Sequence, residues 1–255
     1  MEEEDKRKMR IVTPGEKISG RINLRRTDNN FFIKIGNSMI ATNLGVLKKT
    51  GSSLDLIPYK SVYTPRRDDY VIGVVIGYAA NGWIVDIGAS TKAFLSAQEL
   101  IRWEGDAQRF DPKKYELSEH FKIGDLVGAV IIDINAQSHP ILSLPSEKQG
   151  INKKHLGKLN GYFIIKVHTT KIPRIIGRKG SMIKMIKENM RGDVIVGQNG
   201  VILYKGNYED FLLLKKIIKT IISNTFAPGL TGKIAQMLGV TVTEEVNNNR
   251  GVEHE

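Results

Sequence analysis

The stretch that decides the fold is Ile175-Ile176-Gly177-Arg178-Lys179-Gly180-Ser181-Met182-Ile183-Lys184. It places a Gly-x-x-Gly loop between two short apolar segments that have helical spacing. Glycine lacks a Cβ and tolerates positive φ, so a sugar-phosphate backbone can lie directly against the main chain at this loop. Amide groups at the start of the following helix favour anions, and Arg178, Lys179 and Lys184 add positive charge. The stretch therefore predicts a loop that binds phosphate.

The segments on either side of the loop predict its structural setting. A Gly-x-x-Gly sequence alone arises often by chance, so the surrounding order of elements matters. The predicted elements are a strand at 162–168, helices at 172–176 and 181–190, strands at 193–196 and 201–204, and an amphipathic helix at 207–226. In this β-α-α-β-β-α order the loop resembles that of a type I KH domain, which holds about four nucleotides. The resemblance implies RNA binding at Gly177, Arg178, Lys179, Gly180 and Lys184.

Five segments upstream of the loop alternate between apolar and polar residues, as strands do. They are 70–78, 83–87, 93–95, 126–134 and 141–144, with Asn81-Gly82 as the hairpin turn between the first two. Five strands over about 80 residues fit an OB-type barrel. The polar segment 102–122 is long for a structureless loop in a compact domain. We therefore expect it to be a partly helical excursion over the barrel.

The N-terminal region predicts a separate small β module. Its strands are expected at 17–24, 31–35 and 39–47, with a polar turn at 27–30. The polar stretch 63–69 contains a proline and is the expected boundary to the barrel. The predicted domains are a β module at 1–65, an OB-type RNA-binding barrel at 66–148, a KH domain at 149–235 and a flexible tail at 236–255. The fold class is thus multidomain, mainly β plus α+β.

The amino-acid composition limits the kinds of partner that the protein can bind. Lys and Arg number 38 against 27 acidic residues, which gives a net charge of +11 and a surface that attracts polyanions. Nucleic acid is the first expectation, and an anionic membrane surface is the alternative. No segment reaches the roughly 18–20 apolar residues of a membrane span, and the charged start does not resemble a signal peptide. The absence of cysteine excludes disulfides, zinc knuckles and thiol nucleophiles.

Acidic residues and histidines are not spaced for catalysis. Glu2–Asp5, Asp68-Asp69 and Asp86 are scattered, and the five histidines show no metal-ligand spacing. The segment 229–233 is too short for a nucleotide-binding P-loop. We therefore expect a protein with no catalytic residue, no metal and no cofactor.

Further motifs resemble a known family. The segment 82–88, with 123–127 and 141–144 downstream, is similar to the S1-type RNA-binding OB fold. An S1-type barrel followed by one KH domain, after a β module that opens with Val12-Thr13-Pro14-Gly15-Glu16, resembles the archaeal exosome cap subunit of the ribosomal RNA processing protein four type. The turn Gly197-Gln198-Asn199-Gly200 is similar to the Gly-x-Asn-Gly signature of that family's KH domain.

This resemblance implies a subunit that performs no chemistry itself. Three copies are expected on one face of a hexameric ring that carries the phosphorolytic exoribonuclease sites, with the N-terminal module docked on the ring. Single-stranded RNA would be captured by the cap and fed into the ring 3′ end first. The expected location is the cytoplasm, and no membrane is involved.

The barrel departs from the S1 pattern at its usual contact face. Typical S1-type barrels carry an aromatic residue where this chain has Ile84 and a histidine where it has Ser96, so the stacking platform is reduced. The remaining candidates for RNA contact in the barrel are Trp83, Lys92, Phe94, Arg102 and Arg109. Trp83 equally fits a packed hairpin residue, and Phe94 fits a core residue.

Two rival families differ in module order or number. Polynucleotide phosphorylase places KH before S1, after two long catalytic domains. A transcription elongation factor with an S1-type barrel usually carries two KH units and a helical N-terminal domain. A free RNA-binding factor in transcription or translation remains the open alternative.

Overall fold

Two structural units make up the chain, and neither is continuous in sequence. The first takes residues up to Asn160 together with Lys166–Thr170 and Gly197–Val201; the second takes Gly161–Ile165, Lys171–Val196 and residues from Ile202 onward. The computed structural model describes residues 9–18, 32–36, 38–50, 53–58, 62–105, 116–135, 137–145, 151–223 and 229–239.

Six short strands at the N-terminus form two antiparallel sheets of three strands each. β1 (Met9–Val12), β5 (Gly45–Thr50) and β6 (Ser53–Pro58) pair in the order β1-β5-β6, and β2 (Lys17–Ile18), β3 (Phe32–Ile35) and β4 (Ser38–Ala41) pair in the order β2-β4-β3. Each strand contributes one buried side chain to a shared core, which consists of Val12, Ile18, Phe32, Ala41, Leu47 and Leu56. One apolar core therefore holds the two sheets together.

The single strand predicted at 39–47 is wrong, because the chain changes sheets there. Ala41 pairs with Phe32 in one sheet, whereas Gly45 pairs with Val12 and Pro58 in the other. The strand predicted at 17–24 is seen only at Lys17–Ile18 among the described residues. The rest of it and the turn predicted at 27–30 lie outside the described residues.

Five strands close into the predicted OB-type barrel. They are β7 (Tyr70–Ala79), β8 (Gly82–Asp86), β9 (Ala93–Ser96), β10 (Leu126–Ile134) and β11 (Pro140–Ser143). The order β7-β8-β9-β11-β10 closes because β10 pairs with both β11 and β7. β9 and β11 are parallel, and the other pairs are antiparallel. Inward-facing side chains that are at most 1% exposed fill the interior: Val75, Trp83, Val85, Leu95, Ile131 and Leu142.

The β7–β8 hairpin turns one residue earlier than predicted. Ala79 pairs with Gly82, so the loop is Ala80-Asn81 and Gly82 opens β8. A Cβ at Gly82 would lie 2.2 Å from the carbonyl oxygen of Leu95. Glycine is therefore needed here for the close approach of β9 and not for the turn itself.

Two helices and one further strand accompany the barrel. α1 (Ala97–Glu104) and α2 (Leu117–His120) confirm that the excursion after β9 is partly helical; residues 106–115 lie outside the described residues. β12 (Gly157–Leu159) pairs with the first residues of β10. The sequence assigned 149–160 to the KH domain, whereas the structure adds β12 to the barrel sheet.

The remaining elements follow the predicted β-α-α-β-β-α order of a type I KH domain. They are β13 (Phe163–Lys166), α3 (Ile172–Ile176), α4 (Ser181–Asn189), β14 (Asp193–Val196), β15 (Val201–Lys205) and α5 (Tyr208–Ser223), with the sheet order β13-β15-β14. An additional helix, α6 (Leu230–Met237), was not predicted and buries Leu230 and Ile234. No helix in the described ranges is both long and apolar enough to cross a membrane.

The turn between β14 and β15 belongs to the first unit, where Asn199 is bound by the barrel backbone. Its Oδ1 accepts a hydrogen bond from the Ile72 N–H (3.2 Å), and its Nδ2 donates to the carbonyl oxygens of Ile72 (2.8 Å) and Ile87 (3.0 Å). The neighbouring Gln198 N–H donates to the Tyr70 carbonyl at 2.9 Å. Asn199 is only 7% exposed, so its three hydrogen bonds to the barrel backbone are shielded from water. The residues of the Gly-x-Asn-Gly turn thus have a structural role in the barrel.

Candidate nucleic-acid interface

The Gly-x-x-Gly loop has a backbone that only glycine adopts easily at both of its ends. Gly177 ends α3 with φ of 78°, and Gly180 precedes α4 with φ of 80°. The Gly177 N–H donates to the Pro173 carbonyl at 2.9 Å, and the Gly180 N–H donates to the Gly177 carbonyl at 3.2 Å. A Cβ at Gly177 would lie 2.7 Å from the Cβ of Met182. The tight turn therefore leaves no room for a side chain at its first position.

Basic side chains project from this loop and its neighbours. Arg178 and Lys179 are exposed, and Lys179 itself has φ of 53°. Lys184 lies 3.8 Å from Glu188 in a pair whose side chains are 75% and 60% exposed, so the pair is weak and the ammonium group remains accessible. Arg174 is also exposed on α3 and was missed in the sequence analysis; its signal is its position three residues before Gly177. The loop thus presents exposed positive charge next to its two glycines.

Trp83 is not available for base stacking in this structure, which corrects the prediction that its ring contacts RNA. The residue is 0% exposed. Its Nε1 donates to the Leu117 carbonyl at 3.1 Å, and its ring meets Phe121 edge-on at 4.9 Å. Trp83 therefore attaches α2 to the barrel from inside, as a packed aromatic with a satisfied N–H.

Phe94 lies in an apolar row on the outer face of the barrel. It pairs with Ile84 on β8 and with Ile141 on β11, and all three side chains are half-buried. Ile84 and Phe94 lie on the second and third strands, whose face binds oligonucleotides in OB folds, and Ile141 lies beside them on the fifth strand. Ser96 does not contribute a stacking group, because its Oγ accepts from the Gln98 N–H and caps α1. Ile84 and Ile141 were not predicted as RNA contacts. The alternation of side chains along β8 and β11 could have indicated that both face outward.

Two of the three predicted basic contacts of the barrel are occupied by carboxylates. Lys92 Nζ lies 2.9 Å from Asp86, and Arg102 lies 2.8 Å from Glu99. The Lys92 ammonium, together with the Gly88 N–H, holds the pKa of Asp86 below its ordinary value. These carboxylates offset part of the positive charge that the two cations would present to phosphate, although the Arg102 side chain remains 74% exposed. Arg109 lies outside the described residues.

The carboxylates of Asp69 and Asp125 have structural partners. Asp69 accepts a hydrogen bond from the Tyr63 hydroxyl at 2.6 Å, and burial raises the pKa of both groups. Asp125 lies 2.5 Å from Lys158 of β12; burial works to raise its pKa, but the hydrogen bonds from Lys158 and the Lys122 N–H, together with the charges of both lysines, lower it overall. In the part of the chain that the structure describes, no cluster of three or more acidic or histidine side chains is placed to hold a metal ion.

Family models match the two nucleic-acid-binding modules separately. The model described as the S1 domain of RRP4 matches residues 62–133, and the model described as a KH domain matches residues 147–204. A crystal structure described as an exosome complex RNA-binding protein superposes with a TM-score of 0.59 and 28% identity, covering 70% of this chain and 96% of that one.

Full-length relatives extend the similarity to the N-terminal module. The exosome complex component Rrp4 of Methanothermus fervidus is 32% identical over 89% of this chain and 94% of its own length. That of Nitrosopumilus maritimus is 32% identical over 92% of this chain and 96% of its own, and that of Methanobrevibacter smithii is 31% identical over 92% and 73%. With one S1 domain, one KH domain and this degree of identity along nearly the whole length, the chain belongs to the Rrp4 family of exosome complex components.

Proposed function

We propose that this protein is the non-catalytic RNA-binding cap subunit of an exosome, working in the cytoplasm. It captures single-stranded RNA and feeds the 3′ end into a phosphorolytic exoribonuclease ring for 3′-to-5′ degradation or processing. Three copies sit on one face of the ring, and the N-terminal module makes the docking contact. The exosome component relatives support the assembly, and the two nucleic-acid-binding modules support the RNA partner.

The geometry of the Gly177–Gly180 loop is the observation that carries the RNA-binding assignment. Both glycines have positive φ, and a Cβ at Gly180 would meet nothing within 4 Å, so the loop has open space there for a nucleic-acid backbone. Exposed Arg178 and Lys179 supply the charge that holds phosphates, and Lys184 extends this charge along α4. Such contacts do not depend on base identity, which suits a subunit that must accept many RNAs.

The barrel contributes a wall beside the path of the RNA and not a strong binding site. Ile84, Phe94 and Ile141 offer one ring and two aliphatic side chains for passing bases. Lys92 and Arg102 form ion pairs with carboxylates, which reduces their net attraction for the phosphates of RNA. Weak contact is useful in a wall because the RNA must move past it toward the ring.

The RNA-binding assignment is tested by replacing Arg178 and Lys179 with alanine. Removing two phosphate contacts should lower the slope of log affinity against log salt by about 1.4, since each contact to a single strand contributes about 0.7. The affinity loss should be similar for RNAs of different sequence. The charge-matched control replaces two exposed lysines of the first unit, Lys34 and Lys122, with alanine. This control should leave the slope nearly unchanged. Wild-type affinity in the loop variant would refute the loop as the binding site.

The cap assignment is tested by mixing the protein with the catalytic ring subunits from the same source. Size-exclusion chromatography with light scattering should reveal a complex with three caps per ring, and that complex should degrade RNA faster than the ring alone. Equal decay with and without the protein would refute the feeding role. Failure to bind the ring, with RNA affinity retained, would instead support a free RNA-binding factor.

A further inference from the structure

Helix α5 presents one exposed face that the RNA-binding assignment does not use. At 100° per residue, five of its side chains fall within about a third of the helix circumference. They are Tyr208, Leu212, Lys215, Lys216 and Lys219, and all are exposed. We call this set the α5 face. It runs for about 16 Å along the helix axis at 1.5 Å per residue.

An unusually exposed aromatic ring lies at the start of the α5 face. Tyr208 is 60% exposed, whereas the two rings behind it are half-buried. Its ring centroid lies 6.0 Å from that of Phe211 and 6.0 Å from that of Phe163, and these two rings stack on each other at 4.7 Å. Tyr208 is therefore held by an aromatic cluster while one side stays open to solvent. A supported, open ring is the feature on which nucleic-acid bases stack.

Three lysines continue the α5 face beyond this ring. Lys215, Lys216 and Lys219 occupy the next two turns, and none of their ammonium groups forms an ion pair within the described parts of the chain. The acidic residues of α5 are confined to its first turn, where Asp210 is bonded to Asn207. The ammonium groups thus make a local positive field with no compensating carboxylate on the same turns. Such a field attracts a polyanion.

We propose that the α5 face is a second contact site for single-stranded RNA, in addition to the Gly177–Gly180 loop. Tyr208 stacks one base, and Lys215, Lys216 and Lys219 hold the phosphates that follow. An open ring next to cations that have no ion-pair partner among the described residues fits the way proteins bind single strands without regard to sequence. An acidic protein segment would satisfy the lysines but would not need the exposed ring, so RNA fits the whole face better. This inference rests on the proposed RNA-binding function.

The stacking half of the proposal is tested by two substitutions at one position in the full-length protein. Tyr208→Ala should weaken binding of a single-stranded oligonucleotide by about 5-fold to 150-fold, the range for one lost base–aromatic stack. Tyr208→Phe keeps the ring and should bind within about twofold of the wild type. Thermal melting of both variants checks that the fold is intact. Equal affinities for Tyr208→Ala and the wild type would overturn the stacking role.

The phosphate half is tested by the triple substitution of Lys215, Lys216 and Lys219 with alanine. Three lost phosphate contacts should lower the salt slope of RNA binding by about 2. The control is a variant that loses the same charge from three exposed lysines of the first unit, at positions 17, 34 and 122. An equal change in both variants would mean that only net charge matters and would overturn the site.

Parallel measurement of the Arg178/Lys179 variant separates this proposal from the function on which it rests. If that variant loses RNA affinity while the α5 variants bind like the wild type, the α5 proposal is wrong and the RNA-binding function stands. The α5 face would then be assigned to an acidic protein partner. If all of these variants bind RNA like the wild type, both proposals fail.

Discussion

Replacing Asn199 with alanine should destabilise the barrel more than any other change to a polar side chain described above. The amide satisfies three backbone groups of the barrel, namely the N–H and carbonyl of Ile72 in β7 and the carbonyl of Ile87, which directly follows β8. Alanine would leave all three without a partner in a place that is shielded from water. A buried polar group that loses its partner costs more than the net strength of the original bond.

The expected loss is large compared with the stability of a folded domain. Each of the three hydrogen bonds contributes about 1 kcal/mol net, so the substitution should cost at least about 3 kcal/mol. Domains of this size are stable by only about 5–15 kcal/mol. For a unit of 150–250 residues, about 3 kcal/mol corresponds to a fall in Tm of roughly 6–12 °C.

Urea unfolding of the full-length protein, followed by far-UV circular dichroism, measures this loss. Asn135→Ala is the matched control, because its side chain also accepts backbone hydrogen bonds, from Gln137 and His139, but in an exposed turn. Asn199→Asp should be worse than alanine at neutral pH, since a carboxylate cannot donate to the two carbonyls. A loss below about 0.5 kcal/mol for Asn199→Ala would refute the reasoning, because surface substitutions typically fall in that range.

Tyr63→Phe should cost about 1–3 kcal/mol by leaving the Asp69 carboxylate without its hydroxyl donor. Because the folded state raises the pKa of Tyr63, the wild type should also lose stability as pH rises above the ordinary tyrosine value of 10.0. The variant should lose less, keeping only the part due to Tyr162 and Tyr204, whose pKa values are also raised; denaturant titrations at pH 8 and 11 test it. Gly177→Ala should weaken RNA binding and lower Tm, since its Cβ would lie 2.8 Å from a backbone nitrogen of α4; normal binding would contradict the geometry of the loop. Lys158→Met should cost at most about 1 kcal/mol at neutral pH. The pKa of Asp125 is lowered in the fold, so this cost should vanish as pH falls below the ordinary aspartate value of 3.8, and a pH-independent cost would argue against the ion pair.

Elements governed by local chemistry were predictable from sequence. The order of strands and helices around the Gly-x-x-Gly loop follows from periodicity and from glycine, both of which act within a few residues. The five barrel strands likewise matched to within about one residue, the usual uncertainty of element ends. Phe94 was predicted as either an RNA contact or a core residue, and its half-buried side chain lies on the outer face of the barrel.

Features that depend on distant partners were not predictable. Whether Trp83 faces the interior or the surface depends on the position of Phe121, which lies much later in the sequence, directly after α2. β12 has only three residues, and its pairing partner on β10 is about 30 positions earlier. No local pattern of apolar residues therefore predicts this strand. Gly82 was assigned to a turn because a glycine after asparagine favours one, yet the contact with Leu95 decides its role.

The placement of Asn199 has a consequence for how the protein is made. The side chain that completes the hydrogen bonds of Ile72 follows that residue by 127 positions. At the roughly 5–20 residues per second of translation, the ribosome needs about 6–25 s to supply it. During that interval the strands of the barrel have emerged but cannot reach their final stability. A nascent chain stalled before residue 197 should therefore be more sensitive to protease within 70–145 than one stalled after the turn has been released.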